Sequence, residues 1–215
     1  MSERIGETPY TSAEEIKKEL LEYATKYCSS SFVELIQETL SDYRFFVAPG
    51  SIGHHHAYVG GLAKHTLEVA RVCVEAYKKQ PKLDPDCLIG CAILHDCCKI
   101  YEYVLDRHGQ YEKSEYYNLV GHVTGGAMLV DRRIPGRQDA VHCLLSHHGK
   151  REWGSPVTPR SVEAKILHDA DYLCSREVEE VIPAEEVDKE TFYPAHTKHM
   201  LEHVKKTHQL DVWLG

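Results

Sequence analysis

His95-Asp96 closes the apolar run Cys87-Leu88-Ile89-Gly90-Cys91-Ala92-Ile93-Leu94, and Lys99 follows three residues beyond the carboxylate. An imidazole beside a carboxylate is costly against a hydrophobic core unless something neutralises or coordinates the pair. A divalent metal ion does this, because neutral imidazole nitrogen and carboxylate oxygen are its ordinary ligands. Further groups of the same kind lie elsewhere: His65 in an amphipathic segment, His122 after a glycine, His147-His148 before a glycine, and Asp169 and Asp171 near a helix end. A lone His-Asp dipeptide carries little information. With these partners in this order it points to metal-assisted chemistry.

The elements that must position these groups are mostly helical. Thr11-Ser12-Ala13-Glu14-Glu15 has the form of a capping box, Ser12 as N-cap and Glu15 at the third position, and predicts a helix through about Tyr27. A second helix is expected from Phe32 to Ser41, and Pro49, Gly50, Gly53, Gly60 and Gly61 mark an irregular connection. From Leu62 to about Tyr77, apolar residues recur at helical spacing, and His65 shares their face. Asp84-Pro85-Asp86 opens the next helix, which runs to about Cys98 and is apolar nearly all round, as a central buried helix would be. Tyr101 to Tyr117 reads as a short hairpin or irregular lobe. Helices are expected near 120–132 and 138–147, the latter stopped by Gly149, then from Arg160 or Ser161 to about Ser175, and from His196 to Thr207. Residues 153–159 must be loop. The fold class is therefore mainly all-α, with at most one small β-hairpin.

At 215 residues and 42% hydrophobic content the chain suits one domain with one core. No apolar run approaches the roughly 20 residues of a membrane span, and the N-terminus lacks the basic-then-apolar order of a secretory signal. A cytoplasmic protein is expected. Its eight cysteines include no Cys-x-x-Cys pair, and most lie in apolar segments, where free thiols behave as small hydrophobes. The net charge of −8 argues against a general nucleic-acid coating protein. Residues 132–160 nevertheless hold six basic side chains, among them Lys150, and flank the His-His pair. That stretch meets an anionic substrate or forms an ordinary solvated face.

His65-Thr66-Leu67-Glu68-Val69-Ala70, His95-Asp96-x-x-Lys99 and Ala170-Asp171-Tyr172-Leu173 together resemble the HD-domain metal-dependent phosphohydrolase superfamily. His55-His56-Ala57-Tyr58-Val59-Gly60-Gly61-Leu62, Gly121-His122, Ser146-His147-His148-Gly149-Lys150, Glu152-Trp153-Gly154-Ser155-Pro156 and Glu163-Ala164-x-Ile166-Leu167-His168 resemble more specifically the HD domain of YhaM-type bacterial 3′-5′ exoribonucleases. The likeness covers roughly residues 45–176. It implies an HD-type helical bundle across 1–215, with 1–45 a helical extension, 46–176 the core, and 177–215 an acidic linker and C-terminal helix. Cys98 stands where the family usually has glycine, and residues 1–45 are too short and too helical for the OB-fold of that exoribonuclease type.

By position, the resemblance implies a first metal set of His65, His95, Asp96 and Asp171, with Asp171 rather than Asp169 matching the last carboxylate. His95 and Asp96 would point about 100° apart on an ideal helix, but they converge at a helix end, where Asp96 can bridge two ions. His122 and His147 match second-metal positions. Two ions about 3.5–4 Å apart can share a hydroxide that attacks phosphorus while both hold phosphoryl oxygens. Manganese, iron, nickel, cobalt and zinc all suit such ligands. Asp96 and Lys99 are then the catalytic pair, Lys99 meeting a phosphoryl oxygen or, alternatively, neutralising a helix terminus. His55, His56, Lys99, His148 and Lys150 are expected at the substrate, His148 being equally suited to bind metal or orient its neighbour. His196, His199 and His203 fall outside the match and read as an amphipathic face.

The implied function is hydrolysis of a phosphoester in a nucleotide or at the 3′ end of RNA or DNA. The expected partner is a nucleotide or a single-stranded nucleic-acid end, with no membrane and with homo-oligomerisation left open. A small-nucleotide phosphatase, a non-catalytic nucleotide-binding module and a di-iron oxygenase on the same scaffold are the alternatives.

Overall fold

The computed structural model describes residues 12–53, 56–105 and 110–176. Helix α1 (Ala13–Tyr27) begins where the Ser12-to-Glu15 pattern places it and buries Ile16, Leu20 and Ala24. Helix α2 (Ser30–Thr39) starts two residues ahead of Phe32 because Ser29, with extended backbone, takes the N-cap position; Phe32, Leu35 and Ile36 face inward. The connection that follows is a short 3-10 turn at Tyr43–Phe46, in which Asp42 accepts from the Arg44 N–H at 2.9 Å. Helix α3 (Gly61–Lys79) carries ten buried residues, His65 among them. The helices of the N-terminal extension belong to the same core: Leu20, Phe32 and Ile36 join Leu62, Leu67, Ile93 and Leu144 in one apolar cluster.

The helix expected from Asp84 to Cys98 opens as the sequence indicates, with Asp84 Oδ1 accepting from the N–H groups of Asp86 (2.9 Å) and Cys87 (3.1 Å). It does not remain one α-helix. It winds as a π-helix over Asp86–Gly90, becomes α4 over Cys91–Leu94, and gives way to a 3-10 turn at Cys97–Tyr101. Asp96 is where the path changes, at φ −107° and ψ 5°. That departure turns the His95 and Asp96 side chains into one cavity instead of about 100° apart. Every residue from Asp86 to Lys99 is buried, as an all-round apolar helix requires.

Strands β1 (Tyr103–Leu105) and β2 (Tyr111–Lys113) form an antiparallel hairpin with Tyr103 opposite Lys113. A short helix not anticipated from sequence, α5 (Glu115–Leu119), follows under a Ser114 cap that accepts from the Tyr117 N–H. Gly121, at φ 72°, breaks α5 from α6 (Gly121–Arg133) and sets the direction in which His122 enters the core. Helix α7 (Gln138–Ser146) ends at the His-His pair, and a 3-10 turn at Arg151–Trp153 precedes the expected loop. Helix α8 (Val162–Cys174) begins at Ser161, whose Oγ accepts from the Ala164 N–H at 3.0 Å.

Among the described residues the fold is thus mainly all-α with one small hairpin, and no helix is long and apolar enough to cross a membrane. All eight cysteines are free thiols, seven of them buried. The expected His196–Thr207 helix, the acidic stretch 177–190 and His55 lie outside the described residues.

Candidate metal centre

Six imidazoles and carboxylates from five elements meet in one largely buried cluster. His65 comes from α3, His95 and Asp96 from the end of α4, His122 from the first turn of α6, His147 from the end of α7, and Asp171 from α8. His65 Nε2 lies 3.1 Å from Asp171 Oδ1 and 3.3 Å from His95 Nε2, and His95 Nε2 lies 3.3 Å from Asp96 Oδ2. On the other side, Asp96 Oδ1 lies 3.3 Å from His122 Nε2 and 3.8 Å from His147 Nε2. His148 joins this second group, its Nε2 3.2 Å from that of His122. The Asp96 carboxylate therefore stands between two imidazole groups with one oxygen toward each.

Four of these rings are aimed by the same device. Nδ1 of His95 donates to the Ala92 carbonyl (2.8 Å), that of His147 to the Leu144 carbonyl (2.6 Å), and that of His148 to the Trp153 carbonyl (2.8 Å). Nδ1 of His122 donates to Glu102 Oε1 (2.8 Å), which also accepts the His122 backbone N–H at 2.6 Å. With the proton fixed on Nδ1, each ring turns an Nε2 lone pair into the cavity. Gly149 permits the turn after His148: its φ is 80°, and a Cβ there would collide with the His168 ring, whose Nδ1 donates to the His147 carbonyl at 2.8 Å.

The facing lone pairs of His122 and His148, 3.2 Å apart, need a cation between them, either a proton or a metal ion. Burial holds His147 well below the ordinary histidine range and pushes His148 down to about 4. Burial also lowers His65. For His95, burial opposes charging, but the adjacent Asp96 outweighs it and raises the pKa. Asp96 is penalised by burial too, yet His95, Lys99 and His122 draw it well below the usual carboxylate range; His65 and its neighbours do the same for Asp171. Asp96 Oδ2 is met by the Lys99 ammonium, but Asp96 Oδ1 and His147 Nε2 accept no directed hydrogen bond. Buried acceptors left open in this way fit a metal site, since nitrogen ligands about 2.1 Å from an ion lie roughly 3–3.5 Å from one another.

Lys99 is 7% exposed, with its ammonium 2.6 Å from Asp96 Oδ2 and donating to the Gly50 carbonyl at 2.7 Å. It thus stands on the site's shared carboxylate. His56 is buried beside His65, but its Nε2 is 2.9 Å from Glu68 Oε2, so that nitrogen is not presented to the cavity. Lys150 lies outside the cluster, its ammonium 4.3 Å over the Trp153 ring. Sequence reasoning did not single out Glu102. Its signal was a lone carboxylate in the aromatic stretch after Lys99, with its partner twenty residues away. A third carboxylate and thiol group, Asp84, Cys87 and Asp139, is filled by the Arg137 guanidinium, which pairs with Asp84 (2.9 Å), Asp86 (2.7 Å) and Asp139 (3.0 Å).

A family model described as the HD domain matches residues 62–176, which contain all of these ligand candidates. The chain belongs to the HD domain family. Curated relatives of this HD chain include the 3′-5′ exoribonuclease YhaM of Listeria monocytogenes serotype 4b, 32% identical over 176 residues, covering 78% of this chain and 56% of the relative. The protein of the same name from Geobacillus sp. (strain WCH70) is 32% identical over 197 residues, covering 83% and 59%. That of Bacillus velezensis is 31% identical over 192 residues, covering 80% and 60%. The chain therefore spans a little over half the length of the curated relatives it matches. No solved structure matches it.

Proposed function

We propose that this HD chain is a divalent-metal-dependent phosphoester hydrolase that acts on the 3′ ends of single-stranded RNA. The observation that carries the reading is Asp96, a buried carboxylate with one oxygen toward each of two imidazole groups and no directed hydrogen bond to Oδ1. The proposed ligands are His65, His95, Asp96 and Asp171 for one ion and Asp96, His122, His147 and His148 for a second. His148 thus moves from substrate contact to the second ion. Bound cations supply Lewis-acid polarisation of phosphoryl oxygens and make a nearby water more acidic.

The chain's own groups do the rest. Lys99 keeps Asp96 ionised and oriented, and its ammonium offers fixed positive charge where negative charge develops on a phosphoryl group. The hydrogen bonds on Nδ1 hold the imidazoles in place before substrate arrives, so little reorganisation accompanies the reaction. Lys150, on the rim, meets the anionic strand. RNA is favoured as substrate because relatives named as exoribonucleases match across most of this chain. We read residues 46–176 as the HD core of a cytoplasmic protein, with the helices that precede it as an extension.

The test is purified protein supplied with manganese, iron, nickel, cobalt or zinc, assayed on bis-p-nitrophenyl phosphate, on nucleotides and on 5′-labelled single-stranded RNA. Hydrolysis of the model diester and stepwise shortening of the RNA, both lost in Asp96→Asn, are expected. Hydrolysis of nucleotides alone would return the small-nucleotide phosphatase. Nucleotide binding with no turnover under any metal would return the regulatory module.

A further inference from the structure

An exposed aromatic pair adjoins the metal centre. Trp153 and Tyr172 stack with ring planes 5° apart and centroids at 5.6 Å, and they are 45% and 40% exposed. Cations flank both rings: the Lys150 ammonium lies 4.3 Å from the Trp153 centroid and the Arg176 guanidinium 4.8 Å from the Tyr172 centroid. Arg151 is exposed in the same turn, and Glu152 is the one acidic residue within it. The pair is joined to the cavity through short links. The Trp153 carbonyl accepts from His148 Nδ1 at 2.8 Å, and Tyr172 directly follows Asp171. None of the site chemistry described so far uses these rings.

Large aromatic rings are seldom left exposed side by side, and a stacked pair flanked by two cations, with Arg151 exposed in the same turn, on a chain of net charge −8 is a local exception to the overall charge. We propose that Trp153 and Tyr172 form a stacking platform for bases next to the scissile phosphate of a single-stranded nucleic acid, with Lys150, Arg151 and Arg176 meeting its phosphates. This rests on the hydrolase reading and names how the substrate is held. Every base has a π-face, so such a platform accepts any sequence, while the cations follow the backbone. Lys150 and Arg176 have exposed, flexible side chains and can swing from ring to phosphate when a base arrives. Continuity with the metal centre and charge complementarity favour a nucleic-acid strand over a second copy of this chain.

The test is fluorescence anisotropy of a labelled single-stranded RNA with the full chain in chelator, run beside turnover of bis-p-nitrophenyl phosphate, which has no base to stack. Tyr172→Ala should weaken RNA binding about 5- to 150-fold, the range that stacking of one base on one ring supplies, while Tyr172→Phe restores it. Wild-type affinity should fall with salt with a logarithmic slope of about −2, as three phosphate contacts on a single strand predict. Turnover of the small diester by Tyr172→Ala should remain near wild type. Unchanged RNA affinity in Tyr172→Ala, or a change of oligomeric state in place of affinity, overturns the platform while the hydrolase reading stands. A wild type that hydrolyses the diester but binds no RNA also overturns it. A wild type inactive on every substrate instead overturns the hydrolase reading itself.

Discussion

Replacing Glu102 tests whether the second imidazole group is a positioned metal set. Its Oε1 accepts both the backbone N–H of His122 at 2.6 Å and the ring Nδ1 at 2.8 Å. Glu102→Ala leaves a buried backbone donor without a partner, a loss of about 1–3 kcal/mol. For a domain of this size, that lowers Tm by about 2–12 °C. It also frees the His122 ring, and removing the hydrogen-bond partner of a ligating histidine costs about 10- to 100-fold in metal affinity, or about 1.4–2.8 kcal/mol. Glu102→Gln keeps an acceptor for the backbone N–H, so it should melt closer to wild type while still weakening the metal. Calorimetric titration of metal into the chelated protein should resolve two classes of site. Only one of them should weaken in the Glu102 variants, because His65, His95 and Asp171 do not touch Glu102. If Glu102→Ala binds both equivalents as wild type does and melts at the same temperature, the positioning argument is refuted.

Other outcomes follow from the same cavity. Asp96→Asn should lose both classes of bound metal and all turnover while remaining folded, measured by elemental analysis and circular dichroism. Lys99→Ala should retain metal but lower kcat, and in the chelated protein it should cost about 3–5 kcal/mol in urea unfolding, because it leaves a buried carboxylate without its cation. The chelated protein should lose stability as pH falls from about 6.5 to 4. The unfolded chain takes up protons near 6.5, whereas burial pushes His148 down to about 4 and lowers His147 and His65; His95, raised by Asp96, works against this trend. His148→Gln should flatten that slope in thermal melts from pH 7 to 4.

What the sequence revealed was what short-range chemistry encodes. Asp84 and Ser161 open helices where their side chains cap the first turn, α1 begins directly after Ser12, and the apolar spacing around His65 put that ring on the buried face of α3. The order of His65, His95-Asp96 and Asp171 was legible through its resemblance to the HD-domain pattern, which chose Asp171 over Asp169. The π-helical turn at Asp86–Gly90 was not, since i→i−5 and i→i−4 bonding leave the same apolar pattern in a fully buried segment. Glu102 escaped notice because its role depends on a contact made only when the turn after α4 meets the start of α6. His148 stayed open for a related reason. Adjacent histidines diverge on a regular helix, and it is the turn at Gly149, closed over His168, that directs both toward Asp96.

The claim that Asp96 joins two metal sets is tested most directly by metal stoichiometry. Elemental analysis combined with native mass spectrometry of the intact chain, loaded with excess manganese and then desalted, should give about two equivalents in wild type. His122→Ala should hold about one and Asp96→Asn essentially none. A wild type that holds one ion or none, or an Asp96→Asn protein that holds the wild-type complement, would contradict the account.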